Sequence, residues 1–299
     1  MAKAKKSRVP STSQLEEIKK LVVIAMFSDD KLMEQLVLKG GNALDLVHRM
    51  STRASLDVDL SLETDFVEKA DAFRRIALAL EATFAPAGYK VFDVQSVEKP
   101  KVVTADMADF WGGYAIEFKL IEQGLFEEFS ADQEALRKRA LMIGPRARFL
   151  IEISKFEYTT GKESRQLDGY NIFVYSAEMM VCEKLRALCQ QMSEYAQIVK
   201  RDRESASRAR DFVDIHALVT GLKLRIASAE NRALLSSIFE AKRVPLPLLG
   251  QIKNYREFHR VDYPSVEATV KSGVKLKGFD FYFDFVLGLV DELKPLWNV

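Results

Sequence analysis

Two neighbouring stretches carry residue types whose spacing could do chemistry. In Leu36-Val-Leu-Lys-Gly-Gly-Asn-Ala-Leu44 an apolar run breaks at Gly40-Gly41 ahead of a predicted helix, and in Arg53-Ala-Ser-Leu-Asp-Val-Asp-Leu-Ser61 the carboxylates Asp57 and Asp59 alternate with Val58 and Leu60. That alternation is the period of a strand, so Asp57 and Asp59 project from one face. Two carboxylates on one face can hold Mg²⁺, a hard cation that takes carboxylate and phosphate oxygens. Glycines just before a helix let backbone N–H groups approach a phosphate at the positive end of the helix dipole. Each half alone has an ordinary structural explanation, because Gly-Gly pairs end strands and Asp-x-Asp decorates exposed edges. In the order strand, turn, helix, strand they predict a phosphate site beside a metal site.

Metal ions held by two carboxylates need further ligands, and a third carboxylate is expected on a neighbouring strand. Glu152, in Phe149-Leu-Ile-Glu-Ile153, and Glu117, in Tyr114-Ala-Ile-Glu-Phe118, are the two candidates. Further along, Val181, Leu185, Leu188 and Met192 follow the stripe of a core-facing helix with Lys184 beside it. A lysine there ordinarily lays its stem over apolar surface. Asp211 and Asp214 share a helical face in Arg208-Ala-Arg-Asp-Phe-Val-Asp-Ile215, where an exposed acidic pair balanced by Arg208 and Arg210 is the plain explanation. His48 has no nucleophile near it in the sequence and receives no role.

The elements that must position these residues follow from periodicity and punctuation. Helices are expected over about 13–27, 29–36 and 42–50, and a long one from Phe66 to Phe84 is ended by Pro86-Ala-Gly88. Ser13 to Glu16 resembles a capping box for the first of these. Strands are expected at 36–38, across Asp57, and near 89–94, 114–121 and 149–154. Gly161 to Tyr170 reads as a polar loop and a domain boundary, and from Ser176 the chain turns helical. Short strands and long helices in this order mean an α/β (α+β) fold with a mixed sheet. The expected division is residues 1–170 for the domain carrying the aspartates and 171–299 for a helical domain, with Phe279, Tyr282, Val286, Leu289 and Leu293 sealing the latter.

With 299 residues, nearly half of them hydrophobic, the chain can bury a sizeable core, so disorder is not expected. A net charge of +1 excludes a general polyanion binder and requires any nucleic-acid contact to come from a local patch. The clusters Arg201 to Arg210 and Arg137 to Arg148 are candidates for such a patch. Cys182 and Cys189 fit no zinc pattern and read as buried thiols in a reducing cytoplasm. The apolar run Leu21 to Phe27 is too short to span a bilayer, and neither export nor a membrane is expected.

Lys39-Gly-Gly-x-Ala-Leu44 followed by Arg53-x-Ser-x-Asp-x-Asp59 resembles the AbiEii/AbiGii-like toxins, a branch of the polymerase-beta-type nucleotidyltransferases. Glu183-Lys-Leu-x-Ala187 is similar to that family's third motif and Arg210-Asp-x-x-Asp214 to its fourth, in family order over roughly residues 37–218. The resemblance implies a polymerase-beta-type core followed by a helical domain, with the active site between them. It further implies nucleotidyl transfer from a nucleoside triphosphate, with Mg²⁺ or alternatively Mn²⁺ as cofactor, in a toxin–antitoxin or abortive-infection (phage-defence) system.

On that resemblance the catalytic residues are Asp57, Asp59, Lys184, Asp211 and Asp214. Asp57, Asp59 and Glu152 hold metal, with Glu152 preferred to Glu117. Gly40, Gly41, Asn42, Arg53, Ser55 and Lys184 bind nucleotide, although Asn42 stands where a small hydroxyl residue is common. The implied acceptor is RNA, first of all the 3′ end of tRNA, and the implied protein partner is a cognate antitoxin. A small-molecule acceptor of antibiotic type and a catalytically silent nucleotide-binding partner of an antitoxin complex stay open as alternatives.

Overall fold

The computed structural model describes residues 9–48, 57–143, 146–201, 205–270 and 275–298. Helix α1 (Thr12–Phe27) starts at Ser11, whose hydroxyl accepts from the Gln14 N–H while the Gln14 side chain accepts from the Ser11 N–H. The capping box therefore lies two residues before the expected one, because Ser11 is the residue with extended backbone. Asp29 caps α2 (Asp30–Gln35) through the Leu32 N–H, and the chain enters β1 (Val37–Lys39). The helix expected from Asn42 is a short turn, α3 (Gly40–Asn42), continued by a π-helical turn over Ala43–Val47. Such wide turns are frequent at functional sites.

Next come β2 (Val58–Ser61), α4 (Lys69–Phe84), β3 (Tyr89–Lys99) and β4 (Gly113–Glu122). The amphipathic helices α5 (Gln123–Phe129) and α6 (Gln133–Arg139) then lead to β5 (Phe149–Ser154). The stretch read as a polar loop is instead a hairpin, β6 (Glu163–Leu167) and β7 (Tyr170–Val174). Its turn is Asp168-Gly169, both at positive φ (47° and 88°), which is the twist that a two-residue hairpin loop requires. The exposed polar face of β6 hid the strand, while Ile172 and Val174 on β7 are buried.

The seven strands described form one mixed sheet in the order β3-β4-β5-β2-β1-β7-β6. Central β2 runs parallel to β5, pairing Asp59 with Glu152, and antiparallel to β1, pairing Asp59 with Lys39.

From Ser176, which caps the next helix through the Met179 N–H, the chain is helical: α7 (Ala177–Cys189), α8 (Ser193–Ile198), α9 (Ala209–Leu222) and α10 (Ala229–Glu240). A 3₁₀ stretch over Leu246–Tyr255 leads to α11 (Arg256–Arg260), α12 (Tyr263–Ala268) and α13 (Phe279–Glu292). The stripe expected on α13 is buried, and Phe283 stacks on Phe212 of α9 at 5.0 Å between ring centroids. Sheet and helices share one continuous apolar core, in which Cys182 and Cys189 are buried thiols. No described helix is long and apolar enough to cross a membrane.

Candidate active site

The sheet brings the acidic residues together at the ends of adjacent strands. Asp57 precedes β2 and is exposed, Asp59 is half-buried within it, and Glu152 stands at the matching position of β5. Glu117, one strand further out on β4, is paired with Leu150 and is held by an ion pair with Arg148. Gly40 explains why glycine stands at the turn after β1. Its φ is +68°, and a Cβ there would lie 2.1 Å from Asp59 Oδ2. The backbone of the turn thus lies against the Asp59 carboxylate, a separation that any side chain would prevent.

Asn42 is fully buried and donates through Nδ2 to the Asp57 carbonyl at 2.6 Å. This bond ties the turn to the start of the Asp-x-Asp strand and points the Asn42 amide at protein backbone. Its Oδ1 has no hydrogen-bond partner among the described residues. Arg53 and Ser55 lie outside the described residues.

Burial pushes the Asp59 carboxyl up to about 7 against the pull of Lys39, and the neighbouring carboxylates of Glu152, Glu183 and Asp57 add to the rise. Asp57 is also raised, by the partial desolvation of its carboxyl and then by Glu152. Crowded carboxylates that resist ionisation are the environment a divalent cation would relieve. Among the described residues no three His, Cys, Asp or Glu side chains already converge on one point. Glu152 is turned toward Lys99, at 3.4 Å. The donors nevertheless suit Mg²⁺ in kind, all being hard oxygens, and in strand register.

Glu152 lines a cleft of about 670 Å³ between the sheet and the helical half, together with Lys39, Lys99, Glu183, Lys200 and Arg208, whereas Asp57 and Asp59 are not among its lining residues. Trp111 and Tyr114 contribute aromatic surface to it. Its floor is a buried charge network that the sequence did not reveal. Lys39 donates to Glu157 at 3.2 Å and to Glu183 at 3.0 Å, and Arg186 donates to Glu157 at 2.7 Å. Lys242 completes it, 3.6 Å from Glu157 and donating to the Phe110 carbonyl at 3.3 Å. Burial lowers the Lys242 ammonium to about 8. The Glu183 and Arg186 pair has the helical spacing of three residues and was legible in principle. Glu157 and Lys242 meet only through the fold.

The helical-half residues lie differently from the sequence expectation. Lys184 is not a surface lysine, being 7% exposed, and its ammonium donates to Asp211 at 3.0 Å and Asp214 at 2.7 Å. None of these three residues lines the cleft. Asp211 and Asp214 are buried rather than exposed, because α7 and α9 pack face to face and Lys184 neutralises them across that contact. Asp211 also accepts from Arg208, whereas Arg210 has no ion pair with Asp214 or any other described residue. The second arginine cluster is largely engaged locally, with Arg137 on Asp93, Arg139 over the Phe129 ring and Arg148 on Glu117.

The sequence model of a family described as the nucleotidyl transferase AbiEii toxin of type IV toxin–antitoxin systems matches residues 22–284. The chain belongs to this family. An AbiEii protein is a nucleotidyltransferase, and membership implies a nucleoside triphosphate substrate and an antitoxin partner. Among solved structures, JHP933 from Helicobacter pylori is similar at 15% identity over 95% of each chain, with a TM-score of 0.46. An antigenic nucleotidyltransferase-like protein from Paracoccidioides brasiliensis is 17% identical over 78% of this chain and 94% of its own, at a TM-score of 0.35. ANT(2″)-Ia in complex with adenylyl-2″-tobramycin is 17% identical over 77% of this chain and 98% of its own, at 0.31. No curated protein matches the chain in sequence. The family assignment rests on the family match.

Proposed function

We propose that this AbiEii protein transfers a nucleotidyl group from a nucleoside triphosphate to RNA, with the 3′ end of tRNA as the acceptor ranked first, and releases pyrophosphate. The observation that carries the reading is the placement of Asp59 and Glu152 side by side on parallel strands. Asp59 lies against the left-handed Gly40 turn, and Glu152 beside it lines a cleft rich in lysine and arginine. Asp57, Asp59 and Glu152 would hold Mg²⁺, which when bound supplies charge for the triphosphate and the leaving pyrophosphate. The Gly40 and Gly41 backbone orients phosphates, and Lys39 fixes the turn by anchoring it to Glu157 and Glu183. Lys99, Lys200 and Arg201 line the same cleft and supply cations for an RNA backbone. In this reading the nucleotidyltransferase domain, expected over residues 1–170, runs on through β7, which pairs with β1 in the sheet, and the helical domain begins at Ser176; the protein acts in the cytoplasm as a toxin countered by its antitoxin.

The test is incubation of the purified protein with each labelled nucleoside triphosphate, Mg²⁺ and total cellular RNA. Labelled RNA that disappears with the Asp59→Asn protein is the expected result. RNA that stays unlabelled while a small hydroxylated compound takes up the nucleotide would overturn the choice of acceptor.

A further inference from the structure

Lys184, Asp211 and Asp214 are buried behind the cleft wall, and what they hold in place is Arg208. One oxygen of Asp211 accepts from Lys184 at 3.0 Å and the other accepts from Arg208 Nε. Lys184 in turn is tied to Asp214 at 2.7 Å. The Arg208 backbone N–H donates to His259 Nδ1 at 3.1 Å. Burial lowers the His259 ring to about 4, so the ring is neutral and this nitrogen can accept. Backbone and side chain of Arg208 are therefore both fixed, yet its side chain is 38% exposed and lines the cleft. With Nε on Asp211, its two terminal nitrogens have no hydrogen-bond partner among the described residues. Asp59 and Glu183 are close enough for their fields to act on its guanidinium.

We propose that Arg208 binds the β- and γ-phosphates of the nucleoside triphosphate, and that Lys184, Asp211 and Asp214 are positioning residues that act through it. The inference rests on the nucleotidyl-transfer reading. A guanidinium oriented by a carboxylate at Nε offers its remaining donors as a planar fork, the geometry that phosphate oxygens accept. Lys184 cannot serve the same purpose from where it lies, because its ammonium is engaged by two carboxylates and buried. The Arg-x-Arg-Asp-x-x-Asp spacing then has a physical account. Asp211 follows Arg208 by three residues, so the two meet on one helical face at the start of α9, and Asp214 follows one turn later to complete the hold on Lys184.

The experiment measures affinity for each of the four nucleoside triphosphates and its monophosphate, by calorimetry with Mg²⁺, on full-length wild type and variants. Wild type binds at least one triphosphate more tightly than its monophosphate, and the absence of any such preference overturns the nucleotidyl-transfer reading itself. Arg208→Gln lowers the preference about tenfold or more, the scale of a charged hydrogen bond, while monophosphate affinity stays within about twofold. Arg208→Lys, which keeps a cation beside Asp211, gives the same comparison should the Gln protein melt early. The double variant Lys184→Met with Asp214→Asn removes one cation and one anion and leaves the Arg208 and Asp211 pair intact. Its preference falls by less than that of Arg208→Gln. A full preference in Arg208→Gln, or a larger loss in the double variant than in Arg208→Gln, overturns the assignment and places Lys184 on the phosphates.

Discussion

Replacing Glu157 with Gln tests the charge network under the cleft. The carboxylate is 4% exposed and faces Arg186 at 2.7 Å, Lys39 at 3.2 Å and Lys242 at 3.6 Å. An amide keeps the shape and removes the charge, leaving three buried cations with Glu183 as the remaining carboxylate of the network. Removing one member of a buried ion pair costs about 3–5 kcal/mol. Unfolding entropy near 2.1 cal/mol/K per residue, over a chain of this length, converts that into a fall in Tm of about 5–8 °C. Burial alone would raise the Glu157 carboxyl, but Arg186, Lys242 and Lys39 outweigh it and hold the group well below the usual carboxylate range. A carboxylate lowered in the fold stabilises fully above its unfolded pKa, near 4.3, and loses that contribution as pH falls toward the folded value. The Tm gap between wild type and Glu157→Gln should therefore be full at pH 7 and narrow below about pH 4. Adding Lys242→Met to Glu157→Gln should recover at least half of the loss, since one of the uncompensated cations is then gone. Calorimetric melts at pH 7 and pH 3.5 give all of these values. A fall below about 2 °C at pH 7, or no gain from Lys242→Met, would refute the reasoning.

Asp57→Asn and Asp59→Asn should each lower transfer at least ~100-fold while the protein still melts cooperatively, and wild-type rates in either would remove the metal assignment. Glu152→Gln should reduce Mg²⁺-dependent transfer more than Glu117→Gln, because Glu152 adjoins Asp59 whereas Glu117 is paired with Arg148; the reverse order in a Mg²⁺ titration would make Glu117 the third ligand. Gly40→Ala should cost about 1–3 kcal/mol and nearly all transfer, since its Cβ must displace the Asp59 carboxylate. An active Gly40→Ala protein with an unchanged melting temperature would show that the turn is free to move.

Much of the sheet was legible because its strands are short apolar or alternating runs: β1, β2, β4 and β5 all lie where periodicity puts them. The β6 and β7 hairpin was missed although Asp168-Gly169 is a strong turn signal, since β6 is an exposed edge strand whose side chains carry almost no hydrophobic pattern. On helical spacing alone, Arg208 and Arg210 were expected to balance Asp211 and Asp214. The structure gives Asp214 to Lys184 because a buried carboxylate takes the buried cation that faces it across the α7 and α9 contact.

What the sequence determined by itself is local: the Gly40-Gly41 turn, the Asp-x-Asp strand, the helical stripes, and the order of motifs that marks the family. Apart from the order of motifs, each depends on residues within a few positions of one another, where backbone geometry alone fixes which side chains share a face. What only the tertiary structure decided is which distant charges meet. Glu152 stands beside Asp59 because β5 runs parallel to β2 in one particular register, and a shift of one residue would have turned it to the opposite face. Lys39, Glu157, Arg186 and Lys242 come from four separate segments, and Arg208 lines the cleft with its Nε on Asp211 and its N–H on His259. Buried charges must find partners wherever the packing brings them, and packing is a property of the whole chain.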